Sequence, residues 1–172
     1  MKKTRVLVFL GLLIALDIIL TRFLAFYPLP TVRFSFGFVP ISFSSIFFGP
    51  IIGGIGSVIG DVIGAVLFPA GPYFPGFTLS ALATGVIYGL FLHKKAKSIL
   101  NITLAVLCIA IFVDLGLNTY WLSVLYGKAF FVLFPARLIK SAIMLPIQVS
   151  VIFAFWRYAG AYIENNFIKN KV

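Results

Sequence analysis

The sequence predicts an all-α integral membrane protein, a compact bundle of six transmembrane helices, and three observations carry that expectation. Of its 172 residues, 62% are hydrophobic and only 10% are Asp, Glu, Lys or Arg, against about 45–50% apolar and about 25% charged in an ordinary soluble domain. Proline, glycine and short basic runs divide the apolar residues into six stretches, and a helix needs about 20 such residues to cross roughly 30 Å of hydrocarbon. The bases fall between these stretches instead of along one face. Six spans with short connections use up the chain as one domain and leave no room for a soluble catalytic domain.

The first span, about 6–26, is closed by Tyr27-Pro28-Leu29-Pro30. Its basic start and apolar core are those of a signal peptide, but no small-x-small site followed by a polar region is present, so a retained helix is expected. The second, about 32–48, is short and contains Pro40; the third, about 51–68, lies between Pro50 and Pro69. The fourth, about 77–92, ends at the basic loop His93-Lys94-Lys95-Ala96-Lys97, and the fifth runs over about 99–117. The sixth, about 138–159, follows a semi-apolar connection holding Tyr120, Trp121, Tyr126 and Lys128, which could be a loop, an interfacial helix or the start of the span.

Orientation follows from the bases. With the N-terminus inside, Lys2, Lys3, Arg5, Lys94, Lys95, Lys97, Arg157, Lys169 and Lys171 are cytoplasmic, while Arg22, Arg33, Lys128, Arg137 and Lys140 lie at or toward the outer side. Both termini are therefore expected in the cytoplasm, which requires an even number of spans. The net charge of +10 reads as anchoring against anionic lipid, because the contiguous patch that nucleic acid requires is missing. Cys108 is the single cysteine and can form no internal disulfide.

Small residues repeat at helical spacing in Gly56, Gly60 and Gly64, in Ala81, Gly85 and Gly89, and in Gly11 with Ala15. In lipid, such stripes let backbones approach closely, either within the bundle or against another membrane subunit.

Enzyme chemistry finds no support. The only histidine, His93, stands beside Lys94 and Lys95, away from any membrane serine it could activate. One His, one Cys and four scattered carboxylates lack zinc-ligand spacing. The glycine-rich stretch has no G-x-x-x-x-G-K-[ST] lysine, so no cofactor or metal is expected and active transport would take its energy from a partner. The informative residues are the charges within spans, Asp17, Asp61, Asp114, Arg137 and Lys140, since such charges face the protein interior. Arg137 and Lys140 share a helical face; Asp61 follows Ser57 by one turn, and Asp114 precedes Asn118 by one turn. They either pair in the bundle core or serve a ligand. The aromatic loop from Pro69 to Phe77 and the run Asn118-Thr119-Tyr120-Trp121 are either interface anchors or a lid over a flat heteroaromatic molecule.

The elements Val32-Arg33-Phe34-Ser35-Phe36-Gly37-Phe38-Val39-Pro40-Ile41, Phe48-Gly49-Pro50 with the glycine-rich helix to Asp61, Tyr73-Phe74-Pro75-Gly76-Phe77-Thr78-Leu79, and Asn118-Thr119-Tyr120-Trp121 together resemble the folate-specific substrate-binding (S) component of energy-coupling factor (ECF) vitamin transporters. The resemblance covers nearly the whole chain. It implies a six-helix protein of the bacterial cell membrane that captures a vitamin from outside, docks on a membrane coupling (T) component carrying two cytoplasmic ATPases, and topples in the bilayer to release its cargo. The docking pattern it implies in the first helix, Ala-x-x-x-Ala, is matched in part by Gly11 and Ala15, followed by Ile19. For folate, Asp61 or Asn118 would pair the pterin edge, Tyr73, Phe74, Phe77, Tyr120 and Trp121 would form walls and lid, and Arg33, Lys128, Arg137 or Lys140 would attract the glutamate tail. The alternatives are an S component for another vitamin such as riboflavin, and a small ion or proton pathway with Asp17, Asp61 and Asp114 as relay groups.

Overall fold

The computed structural model describes residues 3–29, 32–69, 71–127 and 129–163. Among them, helix α1 (Lys3–Arg22) leads into an antiparallel hairpin of β1 (Phe26–Leu29) and β2 (Val32–Phe34). Helices α2 (Phe38–Phe48), α3 (Pro50–Leu67) and α4 (Pro75–Leu92) follow. Helix α5 (Ile99–Cys108) runs through a π-helical stretch, Ile109–Asn118, into α6 (Thr119–Tyr126), making one rod Ile99–Tyr126. Helix α7 (Phe130–Phe155) continues through a π-helical turn, Trp156–Gly160, into the short α8 (Ala161–Ile163). The rods Pro50–Leu67, Pro75–Leu92, Ile99–Tyr126 and Phe130–Tyr158 are each long and apolar enough to cross a membrane. Large apolar side chains such as Leu12, Ile51, Val66, Phe112 and Phe131 stand on the outside of the bundle, the arrangement of a protein solvated by lipid tails.

Local chemistry explains the boundaries. Pro50 and Pro75 open α3 and α4 at the first helical position, where a missing N–H leaves no bond unmade. Gly49, at φ 90°, makes the sharp turn between α2 and α3. The Ser98 hydroxyl accepts from Asn101 N at 3.3 Å to cap α5, and Gly127, in the left-handed region, ends α6. Pro135 and Pro146 lie inside α7 without ending it, as membrane helices allow when neighbours satisfy the freed backbone.

Four expected spans have different bounds, the first because α1 ends at Arg22 and Phe26–Leu29 forms β1. The segment 32–48 is helical only from Phe38, because Val32–Phe34 pairs with β1 instead. The resulting 11-residue α2, about 16 Å long at roughly 1.5 Å per residue, is too short to cross alone and is buried along nine of its residues. The fifth span runs on to Tyr126, with the π-helical stretch inside it, and the sixth begins at Phe130. The connection 119–136 is thus the end of one rod and the start of the next. Glycine does not stop the fifth rod, because Gly116 lies in the π-helical stretch, whose backbone continues into α6.

Packing centres on α3. Its glycines face three neighbours: Gly53 lies against Ser45 of α2, Gly54 against Leu82 and Val86 of α4, and Gly56 against Leu10 of α1. From α4, Gly85 meets Gly53 and Gly54, and Gly89 meets Pro50. At the end away from the hairpin, Phe43, Ile46 and Phe47 of α2 close a core with Tyr88, Leu92, Ile102, Val106 and Ile152. There the His93 Nδ1 lies 2.8 Å from the Ile46 carbonyl oxygen, and Lys97 Nζ stands 4.6 Å above the Trp156 ring.

Gly89→Ala places a methyl 2.3 Å from the Pro50 Cα, a backbone atom that has no free rotation to escape. It should lower stability by about 1–3 kcal/mol, the usual effect of overpacking. Gly11→Ala meets nothing within 4 Å and should leave the melting temperature in detergent unchanged. Equal melting of the two variants would contradict the close α3/α4 approach.

Candidate functional site

At the hairpin end of the bundle a cavity of about 350 Å³ is bounded by α1, β2, α2, α3, α4 and the loop before it, the π-helical stretch, α6 and α7. That volume lies within the range of small-molecule sites, roughly 300–1,000 Å³. A smaller chamber of about 170 Å³ shares Thr21, Arg33, Ser35, Asp114 and Lys140 with it and reaches inward to Thr84, Tyr88, Met144 and Gln148. Tyr88 Oη donates to Gln148 Oε1 at 3.4 Å there.

Three groups of charge line the main cavity. In the first, Arg22 at the end of α1 reaches α3, with Nη2 3.7 Å from Asp61 Oδ1 and 3.4 Å from the Asp61 carbonyl oxygen. A Cβ at Gly64 would lie 2.9 Å from Arg22 Nε, so glycine makes room for the guanidinium. The other Asp61 oxygen, Oδ2, accepts from Thr78 Oγ1 at 2.7 Å, and Thr78 Oγ1 is 2.9 Å from Tyr73 Oη. The aromatic loop is thereby tied to the α1/α3 ion pair.

In the second group, Asp114 Oδ1 lies 3.5 Å from Lys140 Nζ and accepts from Asn118 Nδ2 at 3.3 Å. The π-helical backbone contributes directly. The Thr119 amide donates to the Gly116 carbonyl, and the Asp114 carbonyl oxygen accepts from Thr119 Oγ1 at 3.1 Å and from Arg137 Nη2 at 3.2 Å. Arg137 is buried, and the backbone carbonyl gives this cation an acceptor inside the protein, as a charge at membrane depth requires.

The third group is Asp17 on α1 and Arg33 on β2. Arg33 Nη2 donates to the Thr21 carbonyl oxygen, and Asp17, only 6% exposed, faces the cavity from the same helix. The aromatic side is formed by Tyr73, Phe74 and Phe77, with the Phe74 and Phe77 rings edge to face at 6.2 Å.

Of the residues expected at a site, Arg33, Asp61, Tyr73, Phe74, Phe77, Asn118, Arg137 and Lys140 line this cavity. Trp121 and Tyr120 do not. The Trp121 ring stands behind Phe74 at 5.6 Å with Nε1 donating to Ser80 Oγ at 3.2 Å, and Tyr120 packs on Trp121 with half its surface exposed. They support the wall from outside because the rod turns them away from the cavity, whereas Leu122, Leu125 and Tyr126 face in. Lys128 lies outside the described residues. Gly11 and Ala15 are on the exposed side of α1, away from the cavity. Sequence reasoning missed Thr21, Arg22 and Ser35 as cavity residues and left Asp17 and Asp114, though singled out as in-span charges, outside the residues named for the vitamin. Asp17 and Thr21, one turn apart on an otherwise apolar helix, were the available signal.

Among the described residues no three His, Cys, Asp or Glu side chains could hold a metal ion. What the arrangement offers is reversible binding: a flat aromatic surface, four cations and three carboxylates around one hollow, with no histidine base among them.

The family model for the ECF transporter substrate-specific component matches residues 5–156. The chain is 46% identical to the folate transporter FolT of Clostridium novyi (strain NT) over 157 residues, 91% of each chain. It is 34% identical to the folate transporter FolT of Leuconostoc mesenteroides subsp. mesenteroides over 154 residues, 86% of this chain and 82% of that one. Among solved structures, the crystal structure of FolT bound with folic acid superposes with a TM-score of 0.82 at 39% identity, covering 90% of this chain and 93% of that one. The relatives are named as transporters and not as enzymes. This chain belongs to the family of ECF transporter substrate-specific components.

Proposed function

We propose that this protein is the folate-binding S component of an ECF vitamin importer. One observation carries the reading: a single cavity places the aromatic wall of Tyr73, Phe74 and Phe77 beside Arg33, Arg137 and Lys140 and within reach of carboxylates. Folate needs those three surfaces together, since a flat ring stacks on aromatic faces, its donor edge calls for acceptors, and its glutamate carries two carboxylates that call for cations. The likeness to a FolT structure bound with folic acid supports the same ligand.

In this reading both termini face the cytoplasm of a bacterial cell, and the cavity opens to the outside. The exposed α1 stripe of Gly11 and Ala15 docks on a membrane T component attached to two ATPases, because small residues admit a partner helix closely. Nothing in the cavity supplies energy, so inward delivery depends on those partners. Binding itself needs only the solitary protein.

Trp121 touches the Phe74 wall, while Trp156 lies at the other end, so a Trp156→Phe variant reports the cavity alone. Folate should quench its fluorescence saturably and riboflavin should not; quenching by riboflavin instead would replace the substrate, and no response to any vitamin would refute the binding reading. In proteoliposomes, folate uptake should require added T component and ATPases. Gly11→Leu with Ala15→Leu should retain folate binding but reduce coupled uptake at least about tenfold, the effect of losing roughly 1.4 kcal/mol of docking. Unchanged uptake would place the docking face elsewhere. Ion flux through the solitary protein would favour the pathway alternative.

A further inference from the structure

We propose that Asp17 is the carboxylate that reads the ligand's paired hydrogen-bond donors, the N–H and exocyclic NH₂ of a 2-amino-4-oxo heterocycle. The inference rests on the folate reading and goes one step beyond it, to a residue and an atom pattern. Three carboxylates face the cavity, and two are already engaged. Asp61 has Arg22 at one oxygen and Thr78 at the other. Asp114 has both Lys140 and Asn118 on Oδ1.

Asp17 differs. Its Oδ1 is buried with no hydrogen-bond partner among the described residues. Its charged neighbours are Asp61, Arg33 and Arg22; of these, Arg22 is directed at Asp61 and Arg33 donates to the Thr21 carbonyl oxygen. Leaving a buried acceptor unmade is costly, and a carboxylate more so than a neutral group. A ligand that brings two parallel N–H donors would supply what Asp17 lacks, in the geometry that makes carboxylate recognition bidentate.

The surroundings keep space for this carboxylate. A Cβ on Gly37 would come 2.6 Å from Asp17 Oδ1, and one on Gly60 would come 2.7 Å from Oδ2. Two glycines from separate elements thus flank the two oxygens. Gly37 also directly precedes α2, whose N-terminal partial charge favours an anion. The alternative role for Asp17, counter-charge to the arginines, calls for neither the unpartnered oxygen nor its place on the cavity wall.

The test compares folate with the analogue in which the 2-amino group is replaced by methyl, on purified full-length protein. Wild type should bind folate roughly 10- to 100-fold more tightly than the analogue, the span expected for hydrogen bonds to a charged group. In Asp17→Asn, which keeps the shape but turns one acceptor into a donor, that preference should fall to about threefold or less. Gly60→Ala, whose methyl has Asp17 Oδ2 as its only neighbour closer than 3.7 Å, should narrow the preference in the same direction and serves if Asp17→Asn does not fold. A preference retained in the variants, or no preference in wild type that binds folate, would overturn the inference and leave the folate reading standing. Wild type that binds no folate would overturn both.

Discussion

Charges at the hairpin end of this bundle must find their partners within the protein or in what it binds, because lipid tails offer neither counter-charge nor hydrogen bond. Most of the architecture follows from that requirement. Arg22 and Asp61 join α1 to α3, Lys140 and Asp114 join α7 to the π-helical stretch, and Arg137 donates to a backbone carbonyl of that stretch. Each link crosses between elements distant in sequence, so the cavity is the space these pairs enclose. Glycine permits the first of them: at Gly64 a side chain would meet the Arg22 guanidinium. The α3 glycines therefore do two tasks, close helix packing toward α2 and α4 and room for polar groups toward α1.

The two ends of the molecule have opposite character. Away from the hairpin, aromatic and aliphatic side chains of α2, α4, α5 and α7 fill the interior. Polar groups concentrate where the loops are, with Tyr73 anchored through Thr78 to Asp61. Through Thr78 the loop residue Tyr73 is therefore linked to a cavity carboxylate, Asp61. The outer face of α1 is exposed and small at Gly11 and Ala15, while α1's inner face supplies Asp17, Thr21 and Arg22.

Much of this was legible in the sequence. Composition and the spacing of proline and glycine indicate an all-helical membrane bundle, and in-span charges with the aromatic loop point to the residues of one cavity. Other features were not, for physical reasons. The β2 strand could not be separated from α2 because Val32-Arg33-Phe34 is apolar enough for either, and only pairing with Phe26–Leu29 decides. The π-helical stretch has the composition of an ordinary helix, so the direction that Trp121 and Tyr120 take could not be read from spacing at 3.6 residues per turn. Arg22 looked like a terminal base at the membrane surface, whereas its contact with Asp61 depends on the α1/α3 approach.

The most direct test of the account is an experimental structure of this protein with folate bound. The account predicts the heterocycle inside the cavity, against the Tyr73, Phe74 and Phe77 wall, with the glutamate carboxylates near Arg33, Arg137 or Lys140. Folate seated outside the hollow enclosed by the Arg22–Asp61 and Lys140–Asp114 pairs, or bound with those cations turned away from it, would contradict it.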